Sequence, residues 1–337
     1  MFGTNYHKIG VIGAGGWGTA LASLLSENGY EVTIWAYEKD VADEININHT
    51  NPIFLKDSKL NKHLKATNEL KKLRKKDLLL LAIPTQYIRS IVTSELINFK
   101  DKLIVNVAKG IEKDSLLRIS ELLADCASIH ANQYTILTGP SHAEEVSKKT
   151  PTVVVAASEN AVNSQLIQKL FTNEYFRVYT TSDVIGCEVG GALKNIIAIA
   201  AGIVDGLGFG DNTKAALITR GLAEISRLGT ALGANPLTFS GLSGLGDLFV
   251  TCNSQHSRNR YVGEMIGKGK NIQEVIQSTQ MIAEGVSTTQ SAYNLGKKHS
   301  VELPITEQVY KILFENIHPN DALKDLMTRQ TKREWWW

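Results

Sequence analysis

From Lys8 to about Thr181 the chain alternates short, almost unbroken apolar runs with longer stretches of mixed polarity. KIGVI, EVTIWA, DLLLLAI, KLIVNVA, YTILT, TVVVAA and FRVYT have the near-continuous apolar character of parallel strands covered on both faces. Between them, 17–28 and 86–97 have helical length and spacing. This alternation predicts a doubly wound α/β sheet. After Ser182 the strand-like runs stop. Helical patterns are predicted over 184–204, 214–232, 259–267, 287–298, 305–314 and 322–327, with Gly and Pro marking the turns. The reading is an α/β fold: residues 1–182 a Rossmann-like domain and 183–337 an all-helical domain.

Composition narrows the classes. Of 337 residues, 43% are hydrophobic and 21% charged, which excludes disordered, collagenous and disulfide-scaffold proteins. Lys plus Arg total 36 against 34 Asp plus Glu, so no overall field favours nucleic acid or an acidic membrane, and anionic ligands must be held locally. Cys126, Cys187 and Cys252 are widely spaced and odd in number, which points to reduced thiols rather than a disulfide framework or structural zinc. No secretory-signal pattern opens the sequence, and the longest tempting apolar run, 192–204, contains Lys194 and Asn195. A cytoplasmic protein with no membrane insertion and no metal cluster is expected.

Two unusual segments have ordinary readings. The basic run Lys71, Lys72, Arg74, Lys75, Lys76 is expected to be a solvated helix C-terminus, where positive charge complements the dipole. For Trp335, Trp336 and Trp337, covering an interface and forming a disordered tail stand as equal readings.

The first strand ends in Gly13-Ala14-Gly15-Gly16-Trp17-Gly18 and leads into the helix TALASLLSENG. In this setting Gly13 permits the tight turn, Gly15 lets the backbone approach a pyrophosphate, and Gly18 allows close helix–strand packing. The helix N-terminus then offers free N–H donors to the phosphates. Neither an acid nor an arginine stands where the second strand should end, in Ile34-Trp35-Ala36-Tyr37-Glu38. Glu38 comes slightly late and could simply open the next helix, so NAD and NADP remain open as cofactors.

Lys194 lies in a segment, Val189 to Ala200, that is otherwise apolar nearly all round. Such helices are buried, and lysine is seldom buried without a task or a partner. Snorkelling to the surface is one reading. The other is an amine beside a cleft, with a pKa lowered by desolvation so that it can exchange protons. Asp247 ends the glycine-rich run from Gly241, which is too flexible for a stable helix interior. It reads either as a turn or helix cap, or as a carboxylate around which backbone folds closely. Ser257 is a plausible N-cap, with Arg258 and Asn259 on the first turn forming a phosphate clamp. Lys109, in Asn106-Val107-Ala108-Lys109-Gly110, and the segment Gly139-Pro140-Ser141-His142-Ala143 both follow strands. That places them on the ligand side of an open α/β sheet.

Together these residues resemble glycerol-3-phosphate dehydrogenases of the soluble, nicotinamide-dependent bacterial type. The resemblance runs through GAGGWGTALA, AKGIE, TGPSHAEE, GGALKNIIAIAAGIVDGLGFGDNTKAALITRGLAE, GLGDL, SRNR, AEG and LPIT, roughly residues 8 to 328. It implies reversible reduction of dihydroxyacetone phosphate to sn-glycerol 3-phosphate with NADH or NADPH, supplying glycerophospholipid synthesis. It implies that Lys194 is the proton acceptor or donor and that Lys109 polarises the reacting oxygen beside the nicotinamide. Asp247, Thr251 and Asn195 would then face the substrate's polar end. Ser257, Arg258 and Asn259 would hold phosphate or neighbouring hydroxyls, with Gly139 and Ser141 completing the substrate pocket. Gly16, Trp17, Tyr37, Lys109, Ala143, Arg258, Ile282 and Glu284 would touch the cofactor. Gly16 departs from the small polar residue that many relatives carry. A homodimer is also implied.

Two rival readings have different consequences. A related dehydrogenase of a hydroxy acid or phosphogluconate would share the first domain and a lysine in a helical second domain; the SRN phosphate clamp and GLGDL argue instead for a small phosphorylated polyol. A redox-sensing dinucleotide-binding protein would leave Lys194 and Arg258 without a chemical task.

Overall fold

The computed structural model describes residues 8–277, 283–331 and 333–334. Eight strands, β1 (Lys8–Ile12), β2 (Glu31–Trp35), β3 (Lys65–Thr67), β4 (Leu78–Leu81), β5 (Leu103–Asn106), β6 (Tyr134–Thr138), β7 (Thr152–Ala157) and β8 (Phe176–Thr181), form one sheet in the order 3-2-1-4-5-6-7-8. All neighbours are parallel except β6 and β7. The helices of this half are α1 (Gly16–Glu27), α2 (Lys39–Ile47), α3 (Ile88–Val92), α4 (Ile119–Ala127), α5 (Ala143–Ser147) and α6 (Ala161–Phe171). Two apolar cores result: Leu21, Leu24 and Leu25 of α1 with Ile167 and Phe171 of α6, and Ile88 of α3 with Leu122 and Leu123 of α4. Central strands buried on both faces account for the unbroken apolar runs.

The second half is helical: α7 (Val184–Gly206), α8 (Asp211–Ala231), α9 (Asp247–Asn253), α10 (Arg258–Gly267), α11 (Ile272–Gln277), α12 (Glu284–Lys298), α13 (Pro304–Phe314) and α14 (Pro319–Met327). Helix α7 is 23 residues long and apolar enough to span a bilayer, yet it is buried almost throughout as the axis around which the other helices pack. Gly202 and Gly263 let α7 and α10 approach to backbone contact. A Cβ on Gly202 would overlap the Arg260 carbonyl oxygen, and one on Gly263 would overlap that of Ile199. This close crossing brings the start of α10 to the middle of α7.

Four local expectations are corrected. Residues 86–97 form a 3₁₀ turn and the short α3 rather than a full helix, because Thr93 and Ser94 hydroxyls take the carbonyls of Arg89 and Ile91 and Glu95 turns left-handed at φ 58°. Strand β7 runs antiparallel to β6. The five-residue α5 rises only about 7 Å, too little to return the chain along β6 for a parallel crossover. Strand β8, at the sheet edge, alternates buried and exposed residues instead of being apolar throughout. Lys76 is not solvated with the rest of its basic run, which lies mostly in a 3₁₀ segment at Leu70–Lys75: it is buried and paired with Glu31 at 3.0 Å. Lys71, Lys72, Arg74 and Lys75 are exposed, the first two paired with Glu69.

Candidate active site

Gly13 turns at φ 112°, where an added Cβ would press on the Ala82 carbonyl, and a Cβ on Gly18 would overlap the carbonyl oxygen of Gly13. Gly15 precedes α1 with no side-chain cap, and the space beside its Cα is open. Uncapped N–H groups beside a cleared approach suit a pyrophosphate, so the loop fits a dinucleotide. Gly16 has no room for a larger residue, since its Cβ would lie 2.6 Å from the Phe54 carbonyl oxygen. Trp17 turns its ring inward against Phe176, leaving its backbone in the first turn of α1. Ala143, at the start of α5, lies against Gly16. Strand β2 ends at Trp35 without an acid or arginine. Tyr37 is exposed and stands edge-on to Trp35, and Glu38 occupies the N-cap position of α2.

Lys194 sits near the middle of α7 and is 6% exposed, so it does not snorkel. Its Nζ donates to Asp247 Oδ1 and, at 2.8 Å, to Thr251 Oγ1. Thr251 in turn donates to the Asp247 carbonyl at 2.6 Å. The glycine run before Asp247 winds into one π-helical turn, Leu242–Gly246, and delivers Asp247 as the first residue of α9. The Asp247 N–H closes that turn by donating to the Leu242 and Gly244 carbonyls, while its carboxylate makes no capping bond, is 1% exposed and lies between two lysines. The second is Lys109, which follows β5: its Nζ donates to Asp247 Oδ2 at 2.6 Å and to the Gly139 carbonyl at 3.2 Å. Thr138 Oγ1 reaches the same Oδ2 at 3.5 Å, and Ser141 donates to the Gly139 carbonyl.

Burial pushes the Lys194 amine down to about 7, and the neighbouring Lys109 charge adds to this while Asp247 opposes it. Burial favours protonation of Asp247 as well, but the two ammonium groups outweigh it and hold the carboxyl below its ordinary value. A lysine that titrates near neutrality beside a second cation is equipped to exchange a proton with an oxygen that develops charge.

Ser257 caps α10 by accepting from Arg260 N, so its hydroxyl serves the helix. Arg258 is exposed on the first turn, and its charge reaches Glu284. The side chains of Asn195 and Asn259 are buried and bond to each other at 2.9 Å. Glu284, the first residue of α12, does not stand apart: its carboxylate accepts from Thr85 N at 2.7 Å, Thr85 Oγ1 at 3.0 Å and Lys109 N at 3.3 Å. Ile282 and Trp335 to Trp337 lie outside the described residues. Thr85 and Thr138 were not among the expected site residues. Both end or follow strands at the carboxyl edge of the sheet, the position that marked Lys109 and Ser141.

Two family models cover the chain: the NAD-dependent glycerol-3-phosphate dehydrogenase N-terminus over residues 8–164 and the C-terminus of the same family over 183–324. Proteins of Staphylococcus haemolyticus and Lysinibacillus sphaericus, both named glycerol-3-phosphate dehydrogenase (NAD(P)+), are each 50% identical over 97% of this chain and 99% and 98% of their own. A crystal structure of glycerol-3-phosphate dehydrogenase from Coxiella burnetii superposes with a TM-score of 0.90 at 37% identity, covering 96% of this chain and 99% of that one. A solved structure of glycerol-3-phosphate dehydrogenase from Plasmodium falciparum gives 0.85 at 26% identity, covering 97% and 96%.

Proposed function

The chain belongs to the NAD-dependent glycerol-3-phosphate dehydrogenase family, and from that premise we propose which of its residues carry the NAD(P)-dependent interconversion of dihydroxyacetone phosphate and sn-glycerol 3-phosphate. When bound, the nicotinamide supplies or takes the hydride at C2. Lys194 gives a proton to the C2 oxygen in the reductive direction and takes it back in the oxidative one. Lys109 stabilises negative charge on that oxygen. Asp247 holds both ammonium groups in place, and Thr251 fixes Lys194 from its other side. The observation that supports this most is the convergence of Lys109 and Lys194 on the one buried carboxylate of Asp247.

The phosphate lies at the start of α10. With the Ser257 hydroxyl engaged in capping, it is held by the Arg258 guanidinium and by first-turn N–H groups. Gly139 and Ser141 border the substrate; Gly13, Gly15, Gly16, Trp17 and Gly18 cradle the pyrophosphate, with Ala143, Tyr37, Ile282, Arg258 and Glu284 along the rest of the dinucleotide. The two functional units divide at residue 182. The protein works as a cytoplasmic homodimer without membrane insertion and supplies sn-glycerol 3-phosphate for phospholipid synthesis. Three cysteines free of disulfides agree with a reducing compartment.

Loss of absorbance at 340 nm with dihydroxyacetone phosphate, in separate NADH and NADPH assays, tests the reaction and ranks the cofactors. Consumption of either supports the reading, and binding of both without consumption contradicts it. For the cellular role, deletion in a strain with no other route is expected to create a requirement for glycerol or glycerol 3-phosphate; growth without either would rule it out.

A further inference from the structure

Lys109 is held by its own peptide as well as by its side chain. From within its half of the molecule, the fully buried Asn106 accepts from Ala108 N and donates to the Ala108 carbonyl, both at 3.1 Å, fixing the residue before it. From the helical half, Glu284 accepts from Lys109 N at 3.3 Å and Asn195 Nδ2 donates to the Lys109 carbonyl at 3.1 Å. Asn195 Oδ1 accepts from Asn259 Nδ2 at 2.9 Å, and Asn259 Oδ1 accepts from Gly285 N at 2.9 Å. Gly285 adjoins Glu284, so the hydrogen bonds close a ring: Glu284, Lys109, Asn195, Asn259, Gly285. Glycine is required at 285, because a Cβ there would lie 2.7 Å from Asn259 Oδ1 and 2.8 Å from the Asn195 carbonyl oxygen. Thr85 completes the hold on Glu284 through its N–H and hydroxyl.

We propose that Thr85, Asn195, Asn259 and Glu284 are positioning residues for Lys109, acting through its peptide group. The Asn195 amide is buried and bonded through both Nδ2 and Oδ1, which commits it to the ring and so to Lys109. Asn259 gives the ring one amide N–H and its Oδ1, and keeps its second amide N–H, together with its backbone N–H on the first turn of α10, for the phosphate. A lysine stem is flexible, and fixing the main chain at its root limits where the ammonium can go. An error of about 1 Å in a reacting group costs on the order of 10²-fold in rate. The ring joins α7, α10 and α12 to the loop after β5, so Lys109 meets Asp247 only when the two halves are in register.

The inference rests on the role given to Lys109, and a double-mutant cycle separates the two. Lys109→Ala is first expected to lower kcat; if it does not, the functional reading of Lys109 fails before the ring is tested. Asn195→Ala should lower kcat by roughly 10-fold to 10²-fold with little change in KM for dihydroxyacetone phosphate. In the Lys109→Ala background the same substitution should cost less than about twofold, because the group it positions is gone. Equal losses in both backgrounds, or a raised KM with unchanged kcat, would overturn the proposal in favour of direct substrate binding. Should Asn195→Ala fail to fold, Thr85 decides: Thr85→Val is expected to lower kcat several-fold and Thr85→Ser to restore it, whereas identical kcat in the two variants would overturn the proposal.

Discussion

Lys109 and Lys194 come from opposite halves of the chain and meet on the two oxygens of a single carboxylate, with Lys109 Nζ 2.6 Å from Asp247 Oδ2 and Lys194 Nζ on Oδ1. Two ammonium groups this close repel each other, and burial opposes both charges. The carboxylate between them makes the arrangement tenable. Its displacement or sharing on substrate binding would leave two donors facing the substrate oxygen.

The lowered Lys194 pKa sets a sign for the pH dependence. Reduction needs the ammonium, which in the free enzyme is present below about 7. For dihydroxyacetone phosphate, kcat/KM should therefore be level on the acid side and fall by about tenfold per unit above that point. Oxidation of glycerol 3-phosphate needs the neutral amine, and its kcat/KM should rise through the same region and level off. Initial rates in both directions from pH 5.5 to 9 check this.

Asp247→Asn removes the charge that holds Lys194 protonated against burial. The inflection in the reductive profile should move to lower pH, and kcat at pH 7 should fall on the order of 10²-fold. NADH affinity, measured by fluorescence titration, should stay within a few-fold of the parent. An inflection that does not move would separate Asp247 from the titration of Lys194.

How much of this was legible in the sequence follows the range of each interaction. The glycine loop announces itself because a turn, a phosphate approach and a helix contact each need glycine within six residues, Gly13 to Gly18. Lys194 stands out as the one charge in the apolar run from Val189 to Ala200, and Asp247 as the residue ending a glycine run. Their partnership is not legible: Lys109, Lys194 and Asp247 are far apart in sequence, and only the packing of α7 against α9 and against β6, with the loop after β5, brings them together. The Lys109 ring is hidden for the same reason, since asparagines and a threonine carry no periodic signal. Strand β3 escapes because three residues, Lys-Ala-Thr, are too short and too polar to show alternation. Lys76 looked like its solvated neighbours because burial by Glu31 and the sheet is a tertiary fact.

A stability prediction lies outside the active site. Burial pushes the Glu224 carboxyl up to about 7, although it accepts hydrogen bonds from the N–H groups of Ile305 and Thr306 at the start of α13. Its folded pKa lies above the ordinary 4.5, so between these values the folded state binds more protons than the unfolded one. Stability from this group is full below about 4.5 and is lost as pH rises through 7. Relative to Glu224→Gln, which does not titrate, the parent should lose roughly 2–3 kcal/mol between pH 4.5 and 8. Urea unfolding of both proteins at these two pH values checks it; a difference that does not change with pH would mean that the Glu224 carboxyl titrates alike in the folded and unfolded protein.

As proposed above, the buried Lys194 amine exchanges the proton of the reaction. Single-turnover and steady-state rates at 340 nm for Lys194→Ala, with saturating dihydroxyacetone phosphate, test it when set beside the NADH dissociation constant of the same variant. The expected result is a loss of about 10² to 10³ in kcat with NADH affinity nearly unchanged. Turnover close to that of the parent enzyme would contradict it.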